Sequence, residues 1–294
     1  MHHPVGANTW IWTSPLTDER LAELAPRIRA WGFSLVELPI ENLGDWHPAR
    51  TRELLGTLGL GATTCLVMPP GRDLVTDDTH VVTETQSYLM GCLDLAAAIG
   101  AGVVAGPAYA PVGRTWLMSP DERKVTIDRL VEALRPVVEH AEQRQMQLGI
   151  EPLNRYETSL INTVEQALEV VERLDSKACG VALDTFHMNI EEKDPPAAIR
   201  AARGRIAHVQ VCGNDRGAPG SDHQDWPAIL DALDAAEYRG PLCIESFSAG
   251  NMSLARAASI WRPLERSQDA IATDGLAFLS GLMARRESQR SATR

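Results

Sequence analysis

"VGANTWIWTSPLTDERLAELAPRIRAWGFSLVELP", residues 5–39, opens with a β-favouring run and closes with another, and between them "DERLAELAPRIRAWG" repeats apolar residues at helical spacing. Strand, helix, strand in that order predicts two parallel strands joined by a right-handed crossover. The same alternation continues along the chain. Strands are predicted at 5–12, 34–39, 61–67, 101–107, 147–152, 179–184, 206–211 and 241–246, which makes eight. Helical stretches such as "VVTETQSYLMGCLDLAAAIG" and "SPDERKVTIDRLVEAL" lie between them, the latter with Ser119 as N-cap and Pro120 at the first helical position. Eight such units in 294 residues fit a closed (β/α)8 TIM barrel better than an open doubly wound sheet. No linker or low-complexity tract divides the chain, so one domain over 1–294 is expected. Its last helix is placed at about 265–284, with a frayed polar tail "RRESQRSATR" from about 285.

The composition supports a packed α/β domain and narrows the partners. Apolar residues make up 44% of the chain, enough for a sizeable core, and the net charge of −11 disfavours nucleic acid and anionic membranes, which are gripped mainly by Lys and Arg. Cys65, Cys92, Cys179, Cys212 and Cys243 form no CxxC pair and read as reduced core cysteines. No basic segment followed by an apolar stretch opens the sequence, and no window approaches the roughly 20 apolar residues of a membrane span. A soluble cytoplasmic protein is expected, with His2 and His3 as incidental terminal residues rather than a metal site.

In a parallel barrel the functional side chains sit at the C-terminal ends of the strands, because the interior below them is filled with packed side chains. Applied to the last four strands, that rule selects Glu151, Asp184, Gln210 and Glu245, four oxygen-bearing groups converging on one mouth. Any one carboxylate could be a cap or an ion-pair partner. Three of them without Lys or Arg in their own segments are costly together, and a divalent cation makes them tolerable. Carboxylate and amide oxygens suit Mn²⁺, Mg²⁺ or Co²⁺ better than a thiolate zinc site. Glu157, His187 and Arg216 follow these positions closely and read as substrate holders. The bland alternatives are a solvated Arg216 paired with Asp215 and a His187 that merely donates to a carboxylate. Trp10, Trp12 and Trp116 could stack on a sugar face or belong to the core. "GPAYAPVG" and "GNDRGAPG" match neither GxGxxG nor GxxxxGK[ST], so a phosphate loop has weak support.

Taken together, "GANTWIWTSP", "GPAYAPVGR", "GIEPLNRYETSLINT", "LDTFHMNIEE", "NDRGAPG", "IESF" and "WRPLERSQDAIATDGLAFL" resemble the xylose-isomerase-like TIM barrel superfamily. Within it they are most similar to the D-tagatose, D-psicose (allulose) and L-ribulose 3-epimerase group. The resemblance implies metal ligation by Glu151, Asp184 and Glu245, and contact of Glu157, His187 and Arg216 with the C1 to C3 end of a sugar. It also implies a homodimer or homotetramer, and "SLARAASIWRPL" (253–264) is compatible with an interface or with a packed final helix. At the fourth ligand the chain departs from the pattern: the histidine position falls on Gln210, and His208 lies two residues earlier on the same strand face. Either Gln210 ligates through its amide oxygen, which favours Mn²⁺ or Mg²⁺, or His208 reaches up by about 7 Å. Gln210 is the preferred ligand.

The function the resemblance implies is a metal-dependent ketose 3-epimerase, with Glu151 and Glu245 exchanging the C3 proton as base and acid. A 3-keto-glycoside lyase or C-glycoside-cleaving enzyme, an aldose–ketose isomerase and a non-catalytic sugar sensor are the alternatives.

Overall fold

The computed structural model describes residues 3–247, 255 and 258–292. Eight parallel strands close into one barrel in sequence order: β1 (Val5–Asn8), β2 (Leu35–Ile40), β3 (Gly61–Leu66), β4 (Val103–Gly106), β5 (Gln147–Ile150), β6 (Cys179–Asp184), β7 (Ile206–Val211) and β8 (Leu242–Ile244). Helices α1 (Asp18–Trp31), α2 (Pro48–Leu58), α3 (Thr79–Ile99), α4 (Pro120–Arg144) and α5 (Val164–Leu174) connect the first six strands. Then come α6 (Thr185–Glu191), α7 (Pro195–Ala201), α8 (Trp226–Ala235) and α9 (Gln268–Ala292). The fold is the (β/α)8 barrel that the alternation of patterns predicts. Among the described residues no helix is long and apolar enough to cross a membrane.

Local chemistry sets the element ends. Ser119 and Glu122 form a reciprocal capping box that starts α4, with Pro120 at the first helical position. Strand β1 is shorter than the predicted 5–12, because the Asn8 side chain accepts from Trp10 N–H (2.9 Å) and turns residues Thr9–Ile11 into a 3₁₀ helix. Trp10 and Trp12 therefore do not lie on a strand. Helix α9 runs through the stretch read as a polar tail from 285: Arg286 and Arg290 both reach Asp234 of α8, at 2.9 and 2.5 Å, and anchor its last turns. Residues 253–264, expected at an interface or in a packed final helix, fall partly outside the described residues.

Most of the core lies between the sheet and the helices. Inside the barrel, small residues dominate the lower layer, where Val103, Ala105 and Ala182 pack with Ala207. All five cysteines are buried and unbridged. His3 is buried rather than incidental: Nδ1 lies 3.0 Å from Gly240 O, and the ring stacks on Tyr238 at 5.7 Å.

Strand register decides which side chains share a level. Asp184 pairs with Gln210 and Ala182 with His208 across β6 and β7, beyond a register irregularity at Val181/Ala182. Gln210 is therefore level with Asp184, and His208 lies one layer deeper.

Candidate active site

Glu151, Glu157, His187, Arg216 and Glu245 line one pocket at the C-terminal mouth, together with Trp10, Glu41, Leu153 and Phe247. Asp184 and Gln210 stand behind them, each 1% exposed. Glu151 follows β5 directly and is pinned by its own N–H, which donates to Gly106 O (3.0 Å). Glu245 follows β8 in the same way, its N–H donating to Val211 O (3.1 Å).

Arg216 sits at the centre of the wall. Its Nη1 donates to Asp184 Oδ2 (2.6 Å) and Glu245 Oε2 (2.8 Å), and its guanidinium lies over the Phe186 ring at 4.1 Å and near Phe247 at 5.0 Å. The backbone adopts φ 70°, an uncommon region for a non-glycine residue, and is held there by Arg216 N–H on Gly213 O (3.0 Å) and Ser246 Oγ on Arg216 O (2.6 Å). Asp215 pairs instead with Arg262 (2.7 Å), so the solvated Arg216–Asp215 pair is not formed.

His187 is oriented by Asn154. Tyr156 N–H donates to Asn154 Oδ1 (3.0 Å) and Asn154 Nδ2 donates to Glu157 Oε1 (2.8 Å), which fixes the amide. The Asn154 backbone N–H then donates to His187 Nδ1 at 3.0 Å, with Nδ2 2.9 Å from the same atom. Burial, followed by the Arg216 charge, lowers the His187 pKa, so the ring is neutral. Its 3.7 and 3.5 Å approaches to Glu151 and Asp184 are accordingly not ion pairs. With Nδ1 accepting, the ring proton is on Nε2, and Arg216 Nη2 lies 3.0 Å from that same nitrogen. Two donors crowd each other there, and an acceptor oxygen lying beside the pair, within reach of both, would satisfy them.

Carboxylates outnumber cations in this wall. Burial first, then the charges of Glu245 and Asp184, push the Glu151 carboxyl well above its ordinary range. Burial likewise raises Glu245 against the opposing pull of Arg216. Arg216 remains charged although burial opposes it, because Asp184 and Glu245 hold it so.

Beneath the mouth lies a second polar layer, which the strand-end rule does not reach. Gln210 Nε2 donates to Glu245 Oε1 (2.7 Å) and to Glu37 Oε2 (2.9 Å), and Asn8 Nδ2 donates to the same Glu37 oxygen (2.8 Å). Gln210 Oε1 is buried without a partner. His208 Nε2 lies 2.5 Å from Glu37 Oε1, out of line for its ring N–H, so His208 faces Glu37 and not the Asp184 level. The alternative in which His208 rises to the Asp184 level is not what the register produces.

Several groups could hold a metal. Ligand atoms of Glu151, Asp184 and His187 lie within 4.8 Å of one another, as do those of Glu37, His208 and Cys243, and of Glu37, Cys65 and Glu245. The first set joins two expected ligands with His187; Glu245 is engaged by Arg216. The donor chemistry at the mouth fits a hard divalent cation: surplus buried carboxylates, and an orphaned amide oxygen level with Asp184. Of the three tryptophans, Trp10 lines the pocket, Trp12 stacks on Trp31 at 5.8 Å, and Trp116 packs under Arg114 outside the lining of that pocket.

The sequence profile of the xylose isomerase-like TIM barrel family matches residues 25–280. The chain belongs to that family. Among the members it resembles, a Synechocystis sp. protein named "Probable ketose 3-epimerase" is 34% identical over 276 residues, covering 93% of this chain and 94% of that protein. A solved L-ribulose 3-epimerase superposes with TM-score 0.91 at 31% identity, covering 100% of this chain and 99% of the other. D-allulose 3-epimerase from Methylomonas sp., solved in complex with D-allulose, superposes with TM-score 0.87 at 25% identity, covering 95% and 96%. This xylose isomerase-like barrel thus shares its architecture with sugar epimerases along nearly its whole length.

Proposed function

We propose that this chain, a single barrel domain, is a divalent-metal-dependent ketose 3-epimerase acting on free ketoses of the D-tagatose, D-psicose or L-ribulose type. The observation that carries the reading is the pair Glu151 and Glu245, set three strands apart and lining one pocket with the donors of His187 and Arg216. Epimerisation at C3 removes a proton beside a carbonyl and returns one to the opposite face. One glutamate takes the C3 proton as the C2 carbonyl becomes an enediolate, and the other delivers a proton to C3 from across the pocket; the reverse reaction exchanges their roles. His187 Nε2–H and Arg216 Nη2 share one substrate oxygen as acceptor, and Glu157, steadied by Asn154, orients a neighbouring hydroxyl. Trp10 and Phe247 help to exclude water, which keeps buried carboxyl groups effective as bases.

Glu151, Asp184, Gln210 and Glu245 are the residues that would hold the cation, Mn²⁺ first and Mg²⁺ or Co²⁺ after it, given three carboxylates and an amide oxygen. When bound, it supplies Lewis-acid stabilisation of the enediolate charge. The partner is a small sugar, the setting is cytoplasmic, in keeping with five unbridged cysteines, and the assembly is a homodimer or homotetramer.

The test is incubation of the Mn²⁺-loaded protein with D-psicose, D-tagatose, L-ribulose and a 3-keto-glucoside in D₂O. Deuterium at C3 with inversion is the expected outcome. Aglycone release without an epimer would replace the reading by the lyase, and binding without turnover by the sensor. Glu245→Gln is expected to lower C3 exchange by about 10²-fold or more with the fold intact by circular dichroism. Exchange retained in that variant would sink the two-glutamate scheme.

A further inference from the structure

We infer that Glu37 is a positioning residue that turns the Gln210 amide so that its oxygen, and not its nitrogen, faces the cation site. The inference rests on the reading of Gln210 as a metal ligand.

A side-chain amide has two ends of nearly equal size and opposite character, so a ligating glutamine needs a neighbour that tells them apart. Here Glu37 does so. Gln210 Nε2 lies 2.7 Å from Glu245 Oε1 and 2.9 Å from Glu37 Oε2. Glu37 Oε2 already accepts from Asn8 Nδ2, so turning the amide over would press Oε1 against an acceptor there.

Glu37 is itself held. Its Oε2 also accepts from Asn8 Nδ2 at 2.8 Å, and Asn8 cannot turn over because its Oδ1 accepts from Trp10 N–H at 2.9 Å. Asn8 and Glu37 are register partners on β1 and β2, and neither Glu37 nor Asn8 is exposed to solvent. A chain of fixed donors thus runs from the β1 backbone through Asn8 and Glu37 to Gln210. It leaves Gln210 Oε1 as the one end of the amide that is buried without a partner. An orphaned buried acceptor is costly unless something outside the protein's own donors completes it. A divalent cation does so, and the orientation is in place before the ion arrives.

Glu37 also adds a negative charge close to the site, which by itself would favour a cation. The two contributions are separated by comparing Glu37→Leu, which removes charge and acceptor, with Glu37→Gln, which removes the charge but keeps a carbonyl oxygen for Gln210 Nε2. The measurement is Mn²⁺ affinity, with Mn²⁺ alone as the probe, from the electron paramagnetic resonance signal of free ion during titration of the purified chain. Glu37→Leu and Gln210→Ala are each expected to raise Kd by about 10- to 100-fold, and Glu37→Gln by no more than about 3-fold. If Gln210→Ala weakens binding and Glu37→Leu does not, the positioning role is wrong and the ligand reading stands. If Gln210→Ala binds Mn²⁺ like the wild type, the ligand reading itself falls. Equal loss in Glu37→Gln and Glu37→Leu would assign the effect to charge and overturn the inference. Should Glu37→Leu fail to fold, the crystal structure of the Mn²⁺-loaded wild type decides. Gln210 Oε1 on the ion with Nε2 on Glu37 supports the inference; Nε2 turned away from Glu37, or His208 on the ion, overturns it.

Discussion

Asn154 joins three parts of the site, with its backbone N–H on His187 Nδ1, its Nδ2 on Glu157 and its Oδ1 under Tyr156 N–H. Removing its side chain frees Glu157 and one of the two donors that fix the His187 tautomer, while leaving the carboxylates of the cation site in place. Asn154→Ala is therefore expected to lower kcat/KM by about 10-fold or more with Mn²⁺ affinity unchanged, as steady-state kinetics and metal titration would show. A parallel loss of Mn²⁺ affinity would mean that Asn154 supports the metal site instead. The strand-end rule reads Glu151 and Glu245 directly, because each follows its strand. Asn154 lies in the loop after β5, where nothing local distinguishes a buried amide (2% exposed) from a solvated one. Glu37 lies in the middle of β2, three residues before its end at Ile40, where a strand-end rule does not reach; its one local signal is a carboxylate inside an apolar run.

At the scale of the elements, β4 ends on Gly106, whose φ of 146° and close neighbours make a side chain intolerable. A Cβ there would lie 2.5 Å from Leu66 O on the adjacent strand. Its carbonyl also accepts the Glu151 and Ala108 N–H groups, at 3.0 and 2.8 Å, so the end of this strand sets the height of a proposed catalytic glutamate. Gly106→Ala is expected to destabilise the fold by at least ~2 kcal/mol in urea unfolding, since both the backbone and the Leu66 carbonyl must shift. Retained C3 exchange in any folded fraction would show that Glu151 tolerates the displacement. Strand and helix positions were largely readable from periodicity, and the misreadings are at ends. Strand β1 stops at Asn8 because a side-chain hydrogen bond competes with the ladder, and α9 runs past 285 because Asp234 on another helix pairs with Arg286 and Arg290.

For the molecule as a whole, the closed barrel separates the mouth from the opposite end, where His3 at the foot of β1 contacts Gly240 and Tyr238 beside β8. Burial, partly offset by the Gly240 hydrogen bond, lowers the His3 pKa from 6.5. As pH falls, the unfolded chain takes up this proton before the folded one, so the contribution to stability is full above about 6.5 and is lost below it. His187 shifts in the same direction at the mouth. The raised Glu151 and Glu245 carboxyls act in the opposite direction, so the His3 contribution is read by difference: in urea unfolding between pH 7.5 and pH 5, His3→Asn is expected to lose less stability on acidification than the wild type. An unchanged slope in that variant would remove His3 as a contributor.

The barrel itself was determined by sequence alone, because eight alternations of strand and helix period in a chain of this length have few other closed solutions. So was the convergence of Glu151, Asp184, Gln210 and Glu245, since parallel strands present their C-terminal ends to one side. Which of Gln210 and His208 stands level with Asp184 was decided only by the tertiary structure, through the register irregularity between β6 and β7. The direction of the Gln210 amide was decided there too, by Glu37 and Asn8 on β2 and β1. No local pattern links residues so far apart along the chain; closure of the barrel brings them within hydrogen-bonding distance.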